Sequence, residues 1–294
     1  MKISEILAKK KTLSFEIFPP KREDETFTLI DRTIKQLSIY KPDYISVTYG
    51  ALGNTLSNTA MIARTIKENT GAEPLAHLTC VASTTDKVDS VCTELKNYGV
   101  ENILTLRGDI PKNTDTPIFS DFKHASDLAS YIKGKFNGQF GLAGACYPEK
   151  HPEADNLASD IEFMKIKQDA GMEFFDSQLF FDNEVFYHFL LKARKAGITG
   201  PIIPGIMPVT NYAQLDRIIQ ITGCNVPLKL RNYFDRYKND KAAIEEIGLI
   251  FTSYQILDLI ANDVDGIHIY SMNKSDFISK LMDNIGYVAS GFFK

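Results

Sequence analysis

The sequence lacks the signatures of most common chemistries. Its four cysteines, Cys80, Cys92, Cys146 and Cys224, show no paired spacing. That excludes a disulfide framework and reads as four small apolar side chains in a reducing cytoplasm. No two Cys or His residues stand at metal-ligand spacing and no carboxylates cluster, so no metal site is expected. No apolar stretch approaches the ~20 residues of a membrane span. The start, MKISEILAKKKT, reads as a short amphipathic helix and not as a signal peptide. Basic charge is not in excess: Lys+Arg 33 stands against Asp+Glu 37, with a net charge of −4. With no basic cluster beyond Lys9-Lys10-Lys11, a nucleic-acid surface is excluded. There is no P-loop, no GxGxxG and no Ser or Cys in a nucleophile turn, which makes no strong case for covalent catalysis.

What remains is a regular alternation. Apolar strand-like runs fall near 12–18, 43–49, 74–79, 102–107, 139–147, 173–180, 201–206 and 265–271, with amphipathic segments at 23–39, 59–70, 85–98, 124–136, 155–170, 184–196, 211–222 and 240–262. Strands alternating with helices make a parallel sheet. Eight of them in a chain of 294 residues predict a single (β/α)8 TIM-type barrel, a fold of about 250 residues. The last interval is about twice the others, so 224–262 should carry an extra helix before strand eight. A doubly wound open sheet is the alternative, but Pro19-Pro20-Lys21-Arg22 is not a glycine-rich first turn. With no linker or low-complexity segment, residues 1–294 read as one domain.

Alternation along each strand sorts the side chains into two faces. Phe15, Ile17, Ile45, Val47, Ala76, Leu78, Leu104, Leu106, Ile267 and Ile269 read as the helix-facing side. Ser14, Glu16, Ser46, Thr48, His77, Thr79, Thr105, Arg107, Asp109, Ala143, Ala145, Tyr147, Asp176, Gln178, His268 and Tyr270 read as the barrel lining. Ordinary barrels fill that lining with Val, Ile and Leu. A polar lining needs partners, supplied either by itself or by a wide polar ligand across the mouth.

Within that lining Glu16 stands out. It lies in Leu13-Ser14-Phe15-Glu16-Ile17-Phe18, at the C-terminal end of strand one, where barrels build active sites. It is either ion-paired with a Lys or Arg inside the barrel or a general acid with few charges around it. Arg107-Gly108-Asp109 ends strand four; the Arg and Asp either pair with each other or hold an anion and a heteroaromatic ring respectively. The tripeptide also matches an adhesion motif, which would need an exposed loop of a secreted protein. Tyr147 and His151 are presented by a loop stiffened by Pro148 and Pro152. Asp160 and Lys167, seven apart, share a helix face at ~10 Å along the axis: too far to pair, close enough for one extended ligand. Gln178 offers an amide donor and acceptor, and Gln214 opens the helix after strand seven. Phe180-Phe181 reads as core.

Jointly, SFEIFPP (14–20), ISVTYGA (45–51), AHLTC (76–80), LRGD (106–109), YPEKHPEA (147–154), QLFFD (178–182) and IIPGIMPV (202–209) resemble the methylenetetrahydrofolate reductase family, in its order and over nearly the whole chain. The resemblance implies a barrel holding FAD non-covalently, with NADH or NADPH as co-substrate. The implied reaction reduces 5,10-methylenetetrahydrofolate to 5-methyltetrahydrofolate by a ping-pong mechanism, in the supply of methionine. It implies that Glu16 is the proton donor and that Asp109 contacts the folate ring and tunes the flavin. By the same resemblance Thr48, Tyr49, Ala51, His77, Arg107, Gly108, Asp109, Ala125, Tyr147, His151, Ala154, Asp160 and Lys167 are cofactor positions. Asp109, Gln178, Gln214 and Lys274 are substrate positions. Departures are Lys274 where an Arg is common, Phe163 and Ile166 where polar contacts are common, and Ile218 and Met272 where other apolar side chains press on the ligand. The resemblance also implies a homo-oligomer, and a chain without the regulatory domain of larger eukaryotic relatives. The competing readings are another flavin barrel, such as a proline-dehydrogenase-like enzyme, or a non-catalytic flavin or ligand carrier.

Overall fold

A computed structural model describes residues 1–19, 26–49, 56–109 and 119–294. Pro20, Ala51 and the loop that follows Ala51 lie outside them. The strands are β1 (Thr12–Ile17), β2 (Tyr44–Val47), β3 (Glu73–Thr79), β4 (Asn102–Leu106), β5 (Gly141–Cys146), β6 (Phe174–Ser177), β7 (Ile202–Ile203), β8 (Gly205–Ile206) and β9 (Gly266–Tyr270). All pairings are parallel, in the order β7-β6-β5-β4-β3-β2-β1-β9-β8. β7 and β8 are two halves of one strand interrupted at Pro204, which has no amide hydrogen to give the ladder. The Pro204 carbonyl still accepts from the His268 amide at 3.0 Å, so the ring closes there as the eight-strand barrel the spacing predicts. Gly205 fits this seam because a Cβ would collide with the Ser177 carbonyl oxygen.

The helices are α1 (Ile3–Leu7), α2 (Thr26–Ser38), α3 (Leu56–Asn69), α4 (Thr85–Asn97), α5 (Ala125–Lys135), α6 (Leu157–Asp169), α7 (Asn183–Lys195), α8 (Tyr212–Thr222), α9 (Leu228–Tyr237), α10 (Lys241–Ala261) and α11 (Ser275–Phe292). Their starts are written in side chains that cap free amides: Asn156 accepts from Ser159 N at 3.0 Å, and Asn211 from Gln214 N at 2.8 Å. α9 is the extra helix the long last interval requires. α11 was not anticipated, although Phe277, Ile278, Leu281, Met282, Ile285 and Ala289 form a helical apolar stripe that the fold buries.

Two corrections concern the barrel lining. First, β4 has the opposite phase to the one expected. His77 is in register with Leu104, and Leu78 with Thr105. Leu104 and Leu106 therefore face inward, while Thr105 shares the helix-facing side with Leu78 and Ile103. The run Asn-Ile-Leu-Thr-Leu has apolar residues on both faces, so alternation alone could not set its phase. Second, the lining is not polar throughout. Its lower layer is apolar, made of Tyr44, Leu75, Leu104, Ala143, Phe174 and Ile203, and Ile3 of α1 packs into it from below. The Asn102 side chain holds α1 there, accepting from Ile3 N at 2.8 Å. The polar layer sits above this plug, toward the C-terminal mouth. The outer core lies between sheet and helices, and a smaller one lies under α8, α9 and α10. Phe180 and Phe181 are core, as expected, with Phe180 stacked on Phe186 at 5.0 Å.

Candidate active site

The polar layer centres on Glu16. It is 7% exposed, and among the described residues no Lys or Arg pairs with it. Its Oε2 stands 3.6 Å from His77 Nε2 and 3.7 Å from His268 Nε2, and accepts from Ser46 Oγ at 3.4 Å. The expectation of few charges around Glu16 gives way to two imidazoles. This follows from register: Glu16 is opposite Ser46 on β2 and Tyr270 on β9, while Ser14 is opposite His268. Ser14 Oγ lies 2.8 Å from His268 Nδ1, and the Tyr44 ring stacks on that imidazole at 5.9 Å. Tyr44 donates its hydroxyl to Asp176 at 2.7 Å, and the other Asp176 oxygen has no partner.

The two histidines are driven apart. Burial pushes His77 down to about 4, the Glu16 carboxylate opposing and His268 adding to the shift. Burial also works against charge on His268, but Asp176 and Glu16 outweigh it and raise its value. His77 Nε2 is buried without a hydrogen-bond partner. A consequence follows for stability. The folded-state value of His77 lies below the ~6.5 of an unfolded histidine, so the unfolded chain takes up this proton first. Stability should fall as pH drops from about 6.5 toward 4. His268 has the opposite sign, favouring the folded state below its unfolded value. A His77→Gln protein should therefore show a shallower loss of Tm between neutral and acid pH than the parent. An unchanged slope in thermal melts followed by circular dichroism would contradict this.

Two cavities share Tyr147 and His151. The larger, of ≈ 300 Å³, is walled by Arg107, Ala125, Ala154, Asp160 and Lys167, with His124, Glu153, Phe163 and Ile166. Asp160 and Lys167 thus face one space, as their spacing on α6 predicts. Asp160 accepts from His151 N at 2.7 Å, and Lys167 Nζ donates to the Ala145 carbonyl at 2.8 Å while lying 5.9 Å from the centre of the Tyr147 ring. Burial lowers the Lys167 value. The first turn of α5 closes the same wall, and its amides suit an anion. The smaller cavity, of ≈ 140 Å³, is lined by Asp109, Gln178, Glu149 and Cys224.

Arg107 and Asp109 therefore line different spaces, a correction to their expected common face. Their mutual ion pair is not formed either. Arg107 instead makes a two-pronged bond to Glu153 at 2.6 and 2.7 Å and covers Phe119 at 5.7 Å. Gly108 makes the turn between them at φ +85, where a Cβ would also sit 3.0 Å from Thr79 Cβ. Thr48 ends the β2 ladder, donating its amide to Ile17 O at 3.1 Å. Tyr49 leans on the outer core, and burial pushes its phenol up to about 12. Gln178 gives an oxygen to the Leu179 amide at 2.9 Å. Gln214 is engaged at both ends of its amide by its own loop, with Thr210 and the Pro208 carbonyl. Lys274 meets the Thr210 hydroxyl. His268, Ser14, Asp176 and Glu153 were assigned no role from sequence. The strand register would have revealed the first three.

The two cavities suit a flavin dinucleotide by their donor set. Arg107, Lys167 and the first turn of α5 match a diphosphate. Tyr147, Ala125, Ala154, Phe163 and Ile166 offer apolar walls.

The chain resembles known proteins along its whole length. A family profile described as "Methylenetetrahydrofolate reductase" matches residues 2–286. A 5,10-methylenetetrahydrofolate reductase of Pectobacterium carotovorum is 34% identical over 93% of this chain and 90% of its own length. Methylenetetrahydrofolate reductase (NADH) 1 of Arabidopsis thaliana is 33% identical over 94% of this chain, which spans only 48%, about half, of that longer protein. Among solved structures, a Clostridium thermocellum protein that binds two copies of 5-methyl-5,6,7,8-tetrahydrofolic acid superposes with a TM-score of 0.70 at 15% identity, covering 98% of this chain and all of the other. At that identity the last likeness shows the fold alone. On the profile match and the bacterial relative, the chain belongs to the methylenetetrahydrofolate reductase family.

Proposed function

We propose that this protein is a flavin-dependent oxidoreductase that reduces 5,10-methylenetetrahydrofolate to 5-methyltetrahydrofolate with NADH or NADPH. The observation that carries the reading is a buried carboxylic side chain, Glu16, at the C-terminal mouth of the barrel. It stands free of any Lys or Arg partner among the described residues, in a barrel that also carries two cavities joined at Tyr147 and His151. The names of the bacterial and plant relatives support the same substrate. The proline-dehydrogenase-like and carrier readings draw no support from these likenesses. Cytoplasmic location and a homo-oligomer belong to the proposal; among the described residues no helix is long and apolar enough to cross a membrane.

FAD, when bound, supplies two-electron chemistry that passes a hydride from the reduced nicotinamide to the one-carbon unit. The protein does the rest. Arg107, Lys167, Tyr147 and Ala154 would hold the diphosphate and its flanks. Gln178 and Asp109 orient the pterin through paired donors and acceptors. Glu16 delivers a proton to the bridging nitrogen of the folate, opening its five-membered ring to an electrophilic iminium. Afterwards Glu16 recovers that proton through the polar layer, where His268 is the histidine whose charged form is favoured. One pocket serving nicotinamide and then folate gives ping-pong kinetics. Double-reciprocal plots at several NADH concentrations should therefore be parallel, with one 5-methyltetrahydrofolate formed per NADH; intersecting lines, or anaerobic oxidation of more than one NADH per bound flavin without the folate, would refute the reading.

Asp109 is exposed at the wall of the smaller cavity. Asp109→Asn removes a negative charge there while keeping size. It should raise the flavin midpoint potential and weaken folate binding by about tenfold, the scale of a lost charge-assisted hydrogen bond. An unchanged potential and folate affinity would take both roles from Asp109.

A further inference from the structure

Between β9 and α11 the backbone does something costly. Met272 and Asn273, neither a glycine, lie side by side in the left-handed region at φ +50 and +56. Asn tolerates that region because its short amide bonds locally; Met has no such compensation. A pair of this kind persists only where surrounding bonds fix it.

Those bonds run to the end of β1. The β1–β9 ladder reaches the pair Glu16 and Tyr270. Beyond it, the Ser271 amide and hydroxyl both donate to the Glu16 carbonyl, at 3.2 and 2.6 Å. Then the β9 backbone turns away and the Asn273 side chain takes over its place. Its Oδ1 accepts from Phe18 N at 3.0 Å and its Nδ2 donates to Phe18 O at 2.8 Å. A side-chain amide carries the same donor and acceptor as a peptide unit, so it continues the ladder while the chain leaves it. The Ser271 hydroxyl also accepts from Asn273 N at 3.2 Å, which ties the two clamps together. The turn leaves Met272 exposed at 40% and brings Lys274 against the Thr210 hydroxyl.

We propose that Asn273 is a positioning residue for the folate half of the reaction: its amide locks the strand end that bears Glu16 to the loop that bears Met272 and Lys274, so that acid and folate-side loop hold one fixed separation. This rests on the reductase reading above. The bonds of Asn273 run to the strand end that bears Glu16, and on the reading above only the folate half of the reaction draws a proton from Glu16, so the nicotinamide half should not feel it.

The test uses the flavin-loaded protein and follows the two half-reactions separately by anaerobic stopped flow. Asn273→Gly keeps the left-handed turn and loses the amide. It should slow flavin reoxidation by methylenetetrahydrofolate ~10- to 100-fold, the scale of an ångström of misplacement, and raise the folate KM, with NADH reduction within about twofold. Asn273→Asp keeps the acceptor for Phe18 N and loses the donor, and should recover part of the rate. A Gly variant that matches the parent in both half-reactions would overturn the proposal, as would equal slowing of both or loss of flavin. If the parent protein itself is not reoxidised by the folate, the reductase reading falls and this proposal with it, a result distinct from any selective loss.

Discussion

Replacing Glu16 with glutamine should leave a protein that binds FAD and oxidises NADH at close to the parent rate, while reduction of methylenetetrahydrofolate should fall ~10²–10⁴-fold, the usual contribution of a positioned general acid. The split follows from what each half-reaction needs. Hydride leaves the nicotinamide without a proton from the protein, whereas the folate ring opens only when its bridging nitrogen is protonated. Glutamine has the shape of glutamate and can still accept from Ser46, so the polar layer around His77 and His268 keeps its packing. The measurement is the rate of flavin reduction by NADH against the rate of its reoxidation by the folate, each in a single turnover. Equal loss in both would make Glu16 a structural member of the polar layer.

Arg107→Ala should weaken FAD binding ~10- to 100-fold, the equivalent of about 1.5–3 kcal/mol for hydrogen bonds to a charged group. The side chain is about one-quarter exposed, at 27%, and forked onto the more exposed Glu153, at 58%. A diphosphate entering the larger cavity can displace that carboxylate and take over the fork, a geometry lysine would not reproduce. Raising ionic strength screens the partly exposed charges, so the gap between parent and variant should narrow in high salt. Flavin fluorescence quenching on titration into apoprotein measures it. Equal affinities at low salt would remove Arg107 from the cofactor site and leave it a partner of Glu153 only.

Much of the architecture was legible because period and spacing survive in any context. Eight strands and the extra α9 follow from the alternation of apolar runs and the one long interval. Asp160 and Lys167 share a cavity because seven residues are close to two helical turns. The phase of β4 was not legible, since Ile103, Leu104 and Leu106 satisfy an apolar face on either side. The environment of Glu16 was only half legible: alternation put His77 and His268 on the inner face, but which strand lies beside which, 61 and 252 residues away in sequence, is decided by ring closure. Gln214 is a folate position by resemblance only, and its amide bonds to Thr210 and Pro208 were not legible in the sequence. Glu153 as the partner of Arg107 carried no local signal at all, because the two meet across the β4 and β5 loops.

The most direct measurement is the visible spectrum of the purified protein under anaerobic conditions. A flavin band that bleaches on adding NADH and returns on adding 5,10-methylenetetrahydrofolate is the predicted result. A protein that takes up no flavin, or one whose bleached form the folate fails to restore, would contradict the proposed reaction.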